Sequence, residues 1–357
     1  HRGGVKMFKM NARRCLVIIK YNDKDISADL QQYLKNVSYT DNMSGEADDL
    51  QLTLEDKAGL WQSSWMPEKG ATLDVSVRLI NWQGVGEQVV RFGLFEIDEI
   101  TSSGMPSEVQ IKAVSVPDNN NLRGAERTRS WEKAELKRIA NDIATEAGLT
   151  LYYDVKEYNP VIDRAEQTEQ SDLSFLYKLC ADHGLALKIC DKQVVIFDEA
   201  DYEAAEAAAL VPKPKGSYSA GNLKVLDMLK SYSLRSKVRD VYKSCHVKYQ
   251  DSSTKQKIEA TFTAPDKKIG KTLEVNEQVA SIADAERLAK KKLREKNSDE
   301  VTGSFSFLGN PELAAAANIQ LSGFGAFDGK YIITKAQHDI SSGYTTSIDV
   351  RRCLDGY

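Results

Sequence analysis

Ser130-Trp-Glu-Lys-Ala-Glu-Leu-Lys-Arg-Ile-Ala-Asn-Asp-Ile-Ala-Thr-Glu-Ala-Gly-Leu149 runs into Leu151-Tyr-Tyr153. Ser171-Asp-Leu-Ser-Phe-Leu-Tyr-Lys-Leu-Cys-Ala-Asp-His-Gly-Leu185 runs into Leu187-Lys-Ile189. Each stretch reads as a helix, a Gly-Leu stop and a strand. In the first, Leu136, Ile139, Ala140, Ile143, Ala144 and Ala147 recur at helical spacing and make one apolar stripe. Ser130 and Ser171 are the expected N-caps, and Gly148 and Gly184 suit the left-handed position that ends a helix. The second helix is apolar nearly all round and is expected to be buried on two sides. This doubled unit sits between two long segments that read only as strands. The fold class that follows is α+β, mainly β.

Working outward, the segment from Cys15 to Pro117 is strand after strand. Leu50, Leu52 and Leu54 alternate with polar neighbours, as do Leu73, Val75, Val77 and Leu79, and then Val109, Ile111 and Ala113. A period of two with one apolar face marks half-buried antiparallel strands. Turn signals at Asn22-Asp23, Ser44-Gly45, Lys69-Gly70, Gly84-Val-Gly86 and Ser103-Gly104 separate them, and this spacing favours a barrel or sandwich. Trp61 and Trp65 fall on a connection, where they are expected to plug one end. Pro117-Asp-Asn-Asn-Asn121 is a loop into the middle section. Beyond the second repeat, residues 185–189 and 194–197 flank Asp191-Lys192 as a hairpin. Glu203 to Ala209 is read as a short helix and Pro212-Lys-Pro-Lys-Gly216 as a stiff linker. Strands then return, with Cys245 and Val247 on one face. One amphipathic helix interrupts them, capped by Ser281 and carrying Ala285, Leu288, Ala289 and Leu293.

The 357 residues suffice for two or three domains. A net charge of -4 argues against a nucleic-acid binder, which would show a basic excess. The five cysteines, Cys15, Cys180, Cys190, Cys245 and Cys353, are scattered and never form Cys-x-x-Cys, so free thiols are expected. No run approaches eighteen apolar residues, and no membrane anchor is expected. His1-Arg-Gly-Gly-Val-Lys precedes Met7 without pattern, and its Arg-Gly-Gly reads as a translated ribosome-binding site. The native start is expected at Met7 or Met10, with residues 1–11 a disordered or non-native leader.

The residues that could form a catalytic constellation have plainer roles. Of the four histidines, His183 fits a helix C-terminus, His338 a hydrogen bond across a sheet, and His246 an exposed strand face; His1 lies in the leader. Gly323-Phe-Gly325 to Gly329 lacks the following helix that a dinucleotide loop needs, and Asp328-Gly329 reads as a turn. Asn22, Asp23, Asp25 and Asp29 bunch oxygens but depart from calcium-loop spacing. Glu96 and Asp98, two apart on a strand, are the nearest approach to an acid/base pair. The expectation is no catalytic, cofactor-binding or metal site.

Phe92-Gly-Leu-Phe-Glu-Ile-Asp98, Gln170-Ser-Asp-Leu-Ser-Phe-Leu176, His183-Gly-Leu185, Gly309-Asn-Pro311, Gly323-Phe-Gly325, Asp328-Gly-Lys-Tyr331, His338 and Gly343-Tyr-Thr-Thr346 occur in this order. Together they make the chain resemble the late control D family of phage tail hub proteins, in the form found in phages and phage-tail-like particles of Gram-positive bacteria. The resemblance spans about Cys15 to Arg352 and implies two related β-barrel domains joined by an α/β region, similar to the N-terminal part of type VI secretion spike proteins. Residues 12–117, 118–211 and 212–357 are the expected domains, with 217–260 able to pack back on the first barrel.

The resemblance further implies a homotrimer in a contractile phage tail or phage-derived bacteriocin, made in the bacterial cytoplasm and assembled into the baseplate. Three chains with two barrels each would offer six similar faces to a tail-tube ring and seed the tube, while the threefold end accepts a spike or needle. Other baseplate proteins and the tape-measure protein complete the implied partners. The chain's length past the second strand section leads us to expect spike and lytic activities on other chains. The rival readings are a tail-associated peptidoglycan or glycan hydrolase and a carbohydrate-binding module using Trp61 and Trp65.

Overall fold

The computed structural model describes residues 13–82, 86–116, 122–250 and 256–357. The leader, part of the Gly84-Val-Gly86 turn and the Pro117–Asn121 loop lie outside the described residues.

The first section comprises β1 (Arg14–Tyr21), β2 (Lys24–Asp25), α1 (Ser27–Gln31), β3 (Leu34–Asn42), β4 (Asp49–Glu55), β5 (Thr72–Ile80), β6 (Glu87–Ser103) and β7 (Glu108–Val114). All pair antiparallel, in the order β3-β4-β7-β6-β5-β1-β2. The alternation read from the sequence is the alternation of burial: Leu50, Leu52 and Leu54, then Leu73 to Leu79, then Val109, Ile111 and Ala113 all face one core. Apolar side chains at every second position have nowhere else to go once the polar ones take the water side.

The middle section holds β8 (Glu126–Glu135), α2 (Leu136–Glu146), β9 (Thr150–Asp154), β10 (Val161–Ser171), α3 (Asp172–Asp182), β11 (Ala186–Cys190), β12 (Gln193–Phe197) and α4 (Glu199–Ala204). The repeat is longer than the sequence suggested, because each helix is preceded by a strand, and β8 and β10 pair with each other antiparallel. β11 and β12 form the expected hairpin, and β12 runs parallel to β9.

Ser130 is therefore not an N-cap. It lies mid-strand, and α2 begins six residues later at Leu136. The first α2 amides are satisfied from outside the segment: Leu136 N donates to Pro160 O at 2.9 Å and Lys137 N to Asn159 Oδ1 at 3.0 Å. Ser171 does cap α3, its hydroxyl accepting from Ser174 N at 3.2 Å. Gly148 and Gly184 end both helices with φ of 68° and 71°.

The last section contains β13 (Ala209–Pro212), β14 (Lys224–Val225), β15 (Leu229–Ser236), β16 (Tyr242–Gln250), β17 (Lys257–Thr263), β18 (Lys271–Val275), α5 (Ile282–Asn297), β19 (Val301–Leu308), β20 (Asn318–Ser322), β21 (Gly329–Ile340) and β22 (Tyr344–Arg352). The expected helix at 203–209 is displaced: α4 ends at Ala204, and Ala209 begins a strand parallel to β20. β16, β17 and β18 make a small separate sheet, on which α5 lays Ala285, Ala289 and Leu293. Ser281 caps α5 as read, accepting from Asp284 N. Among the described residues of 217–260 no strand pairs with the first section, and β15 joins β19.

Among the described residues the strand pairing does not close two barrels. The path through β14, β13, β20, β21, β3 and onward to β1 is open, with β22, β19 and β15 branching from β21. The two strand-rich sections are fused because β3 gives its free edge to β21, in register from Lys335 opposite Asn42 to Ile340 opposite Val37. The start of β21, up to Ile332, pairs with β20 instead. Thr334 sits at the change of partner, where the register with β22 also shifts and Met43 N donates to Thr334 O.

Candidate functional site

Two buried junctions join the sections, and of the residues singled out in the sequence His338 and Gly309 fall in the first of them. The first is the β3–β21 seam. His338 on β21 lies opposite Tyr39 of β3 and Thr346 of β22. It is 2% exposed, stacks on Tyr39 and sits beside Phe92. Nδ1 lies 2.9 Å from the Tyr344 hydroxyl and Nε2 3.1 Å from Leu313 O. Burial pushes the imidazole down to about 4, so it is neutral near pH 7. In the neutral form Nε2–H donates to Leu313 O and Nδ1 accepts the Tyr344 O–H, which satisfies both nitrogens. The cross-sheet hydrogen bond read from the sequence is present.

Gly309, from the Gly-Asn-Pro motif, closes the seam. A Cβ there would lie 2.1 Å from Tyr344 Cγ, so only glycine lets the ring lie against the chain. Trp82 Nε1 donates to Gly309 O at 2.5 Å, tying the first section to this point.

The second junction is ionic and was not legible in the sequence. Lys188 of β11 reaches into the first section, pairing with Asp41 and, at 3.1 Å, with Asp48. Burial opposes the Lys188 charge, yet the two carboxylates hold its amino group above the usual lysine range. Burial pushes Asp48 up to about 7. Glu203 of α4 is 2% exposed. Its carboxylate accepts from Arg294 of α5 and Arg351 of β22, each at 2.6 Å, and from Leu354 N at 2.7 Å. Arg351 also reaches Glu199 at 2.8 Å.

The remaining candidates are dispersed. His183 ends α3, with Nδ1 3.1 Å from the Tyr158 hydroxyl, and burial lowers its pKa. His246 contacts Thr261 on the small sheet, so the three described histidines lie in three different places. Glu96 is buried whereas Asp98 is exposed and paired with Arg123. A bulge between Ile97 and Glu99 breaks the alternation that would have put the two carboxylates on one face. Asn22 and Asp25 spend their oxygens on Thr72 N and Ser27 N in turns. Asp328 accepts from Phe324 N, closing the expected turn before β21. No group of three or more His, Cys, Asp and Glu among the described residues is placed to hold a metal ion. The five cysteines are unpaired, and burial raises every thiol, Cys180 to about 12. Trp61 is buried and Trp65 is 41% exposed, with their rings at 79° rather than coplanar.

His338, Gly309, Asp328 and Ser171, all from the quoted motifs or caps, are engaged in junctions, a turn and a helix cap. The model of the phage tail baseplate hub (GPD) family matches residues 97–344, which is most of the chain. The chain belongs to this family. The probable baseplate hub protein of Escherichia phage P2 is 30% identical to this hub-family chain over 167 residues. That match covers 47% of this chain and 41% of the P2 protein, so the chain spans less than half of that relative's length. The 43 kDa tail protein of prophage MuSo2 from Shewanella oneidensis has the same fold, with a TM-score of 0.68 at 13% identity. The match covers 95% of this chain and 99% of that one. The c3393 protein of E. coli, a component of the type VI secretion system, matches with a TM-score of 0.56 at 12% identity, over 91% of this chain and 75% of that one. Among the described residues, no helix is long and apolar enough to cross a membrane.

Proposed function

We propose that this family member is a non-enzymatic, homotrimeric hub of a contractile tail or tail-like bacteriocin. In this reading it adapts a threefold spike to a sixfold tail tube and seeds tube assembly. The observation that carries the proposal is the fusion at β3–β21, which sets two strand-rich sections edge to edge in one chain. Residues 12–117 and 212–357 serve as the paired strand-rich domains, and 118–211 as the middle domain facing other baseplate chains. Three copies then bring six such sections around an axis, and a closed ring is the economical use of a surface that does not pair with itself. Partners are the tail-tube ring, the spike or needle, the tape-measure protein and further baseplate proteins.

A framework role asks for units that do not move against one another, and the neutral seam and the ionic junction supply that. A sugar-binding platform asks for coplanar exposed indoles, and the Trp61–Trp65 geometry counts against it. The test is light scattering and electron microscopy of the chain with and without the tail-tube protein. The expected particle has three times the 39.8 kDa chain mass and a threefold ring with a central hole that nucleates tube. A monomer that stays a monomer with the tube protein present overturns the reading, as does lysis of purified cell wall by the chain alone.

A further inference from the structure

Between the α3–β11 turn, the start of α4, the outer face of α5 and the end of β22 lies a cleft of about 470 Å³. Six cationic side chains line it, Arg287, Lys290, Lys291, Lys292, Arg294 and Arg351, against the carboxylates of Asp182, Asp198, Glu199 and Glu295. Glu203 and Glu277, behind the lining, pair with Arg294, Arg351 and Lys292, which leaves Arg287, Lys290 and Lys291 as the lining cations without a carboxylate partner among the described residues. Most of the carboxylates are already engaged: Asp182 with Lys178, Asp198 as the cap of α4, and Glu199 with Arg351.

Several of the cationic groups keep unused capacity. Lys290 and Lys291 make no ion pair among the described residues. The Lys291 stem lies against Gly184, and burial together with the neighbouring Lys292 charge lowers its pKa. Arg287 Nε, Arg294 Nη1 and Arg351 Nη1 are buried with no hydrogen-bond partner, and Arg351 is only 5% exposed. These three nitrogens are closed off by protein, so the capacity a ligand can reach is on Lys290 and Lys291, both partly exposed.

We propose that this cleft binds a short acidic segment of a partner protein, whose carboxylates the α5 cations receive. The shape favours a peptide over a lone oxyanion. Arg287, Lys290, Lys291 and Arg294 sit at i, i+3, i+4 and i+7 of α5 and so share one face over about 10 Å. Carboxylates at alternate positions of an extended chain, about 7 Å apart, match that span. The four acidic side chains among the cations disfavour the dense charge of a polyphosphate. Leu185, Leu354 and the lysine stems give the methylenes of an acidic peptide an apolar floor. The inference does not depend on the oligomeric state proposed above.

The test is fluorescence anisotropy of a labelled octapeptide of alternating Glu and Ala with the full chain at physiological ionic strength. The same peptide with Gln for Glu is the comparison. We expect saturable binding to the Glu peptide alone, weakened roughly tenfold by Lys290→Glu with Lys291→Glu. It should be unchanged by the charge-matched Lys24→Glu with Lys69→Glu on the first section. Equal affinity for the Gln peptide, or equal loss in both double variants, overturns the proposal. Displacement of the peptide by stoichiometric inorganic phosphate overturns it in favour of a small-oxyanion site. If circular dichroism shows the reversed pair unfolded, Lys290→Ala with Lys291→Ala must still weaken binding, by about threefold; no change there sinks the idea.

Discussion

Around His338 at the β3–β21 seam the buried polar groups are neutral: an imidazole, a phenol, an indole N–H and backbone carbonyls, each with a partner and packed among aromatic rings. At the ionic contacts the buried groups are charged, with two guanidiniums sharing the Glu203 carboxylate of α4 and, between β11 and the first section, Lys188 set between Asp41 and Asp48. Both junctions fix one section against another, but they fail differently. A neutral seam depends on shape, so it is vulnerable to volume. An ionic junction depends on balance, so removing one member strands the others in low dielectric. The difference also separates what salt reaches, because buried neutral hydrogen bonds are indifferent to screening.

The largest effect is expected at Glu203. Glu203→Gln keeps the volume but leaves Arg294 and Arg351 facing a neutral amide. Its cost should be about 3–5 kcal/mol in urea unfolding at pH 7. A loss under about 1 kcal/mol would mean the junction is solvated and that the contrast with the seam is false. Next is Gly309→Ala. The added methyl would meet the Tyr344 ring, which Trp82 and the His338 hydrogen bond keep from moving aside. About 3 kcal/mol is expected, the upper end of the overpacking range. Gly45→Ala is the control on strain alone, since it has a positive φ but open space around it.

Acid titration sharpens the comparison because the two junctions respond with opposite signs. His338 titrates near 6.5 when unfolded and about 4 when folded. Between those values the unfolded chain binds more protons, so this histidine's contribution to stability is lost as pH falls, by about 3 kcal/mol. Asp48 titrates at about 7 when folded, above its unfolded value. Over pH 7 to 4 the native state takes up the proton first, so acidification stabilises through Asp48. His338→Gln should therefore gain on the wild type as pH drops, and Asp48→Asn should lose. Denaturation curves at pH 7, 5.5 and 4.5 decide it; two flat differences would mean that neither group is displaced.

Much of the framework was legible because period-two burial is a local signal. Leu50 to Leu54, Leu73 to Leu79 and Val109 to Ala113 could be read without knowing what they pair with. Ser171 was legible for the same reason, since its hydroxyl bonds three residues on. Ser130 misled because its surroundings, Glu-Lys-Ala-Glu, favour a helix while the decisive contacts are remote. Arg127 and Arg129 reach Glu146, Arg129 also reaches Asp172, and Trp131 stacks on Phe175. Those three side chains at i, i+2 and i+4 were a strand signal written in polar residues. The β3–β21 fusion and the Glu203 cluster join positions up to about 300 residues apart, and no single segment carries a mark of either.

The smallest effect tests whether burial, rather than mere charge count, sets the strength of the ionic junction. Glu199 also pairs with Arg351 and accepts from the Ser44 hydroxyl at 3.1 Å, but its side chain is 31% exposed, against 3% for Glu203. When Glu199→Gln removes the charge, water can reach the guanidinium edge it leaves, and Glu203 still neutralises Arg351. The loss should stay below about 1 kcal/mol, as for an ion pair at the surface. A loss equal to that of Glu203→Gln would show that Arg351 needs both carboxylates whatever their exposure. The junction would then be a charge-counting device, and the seam's dependence on shape would no longer be its counterpart.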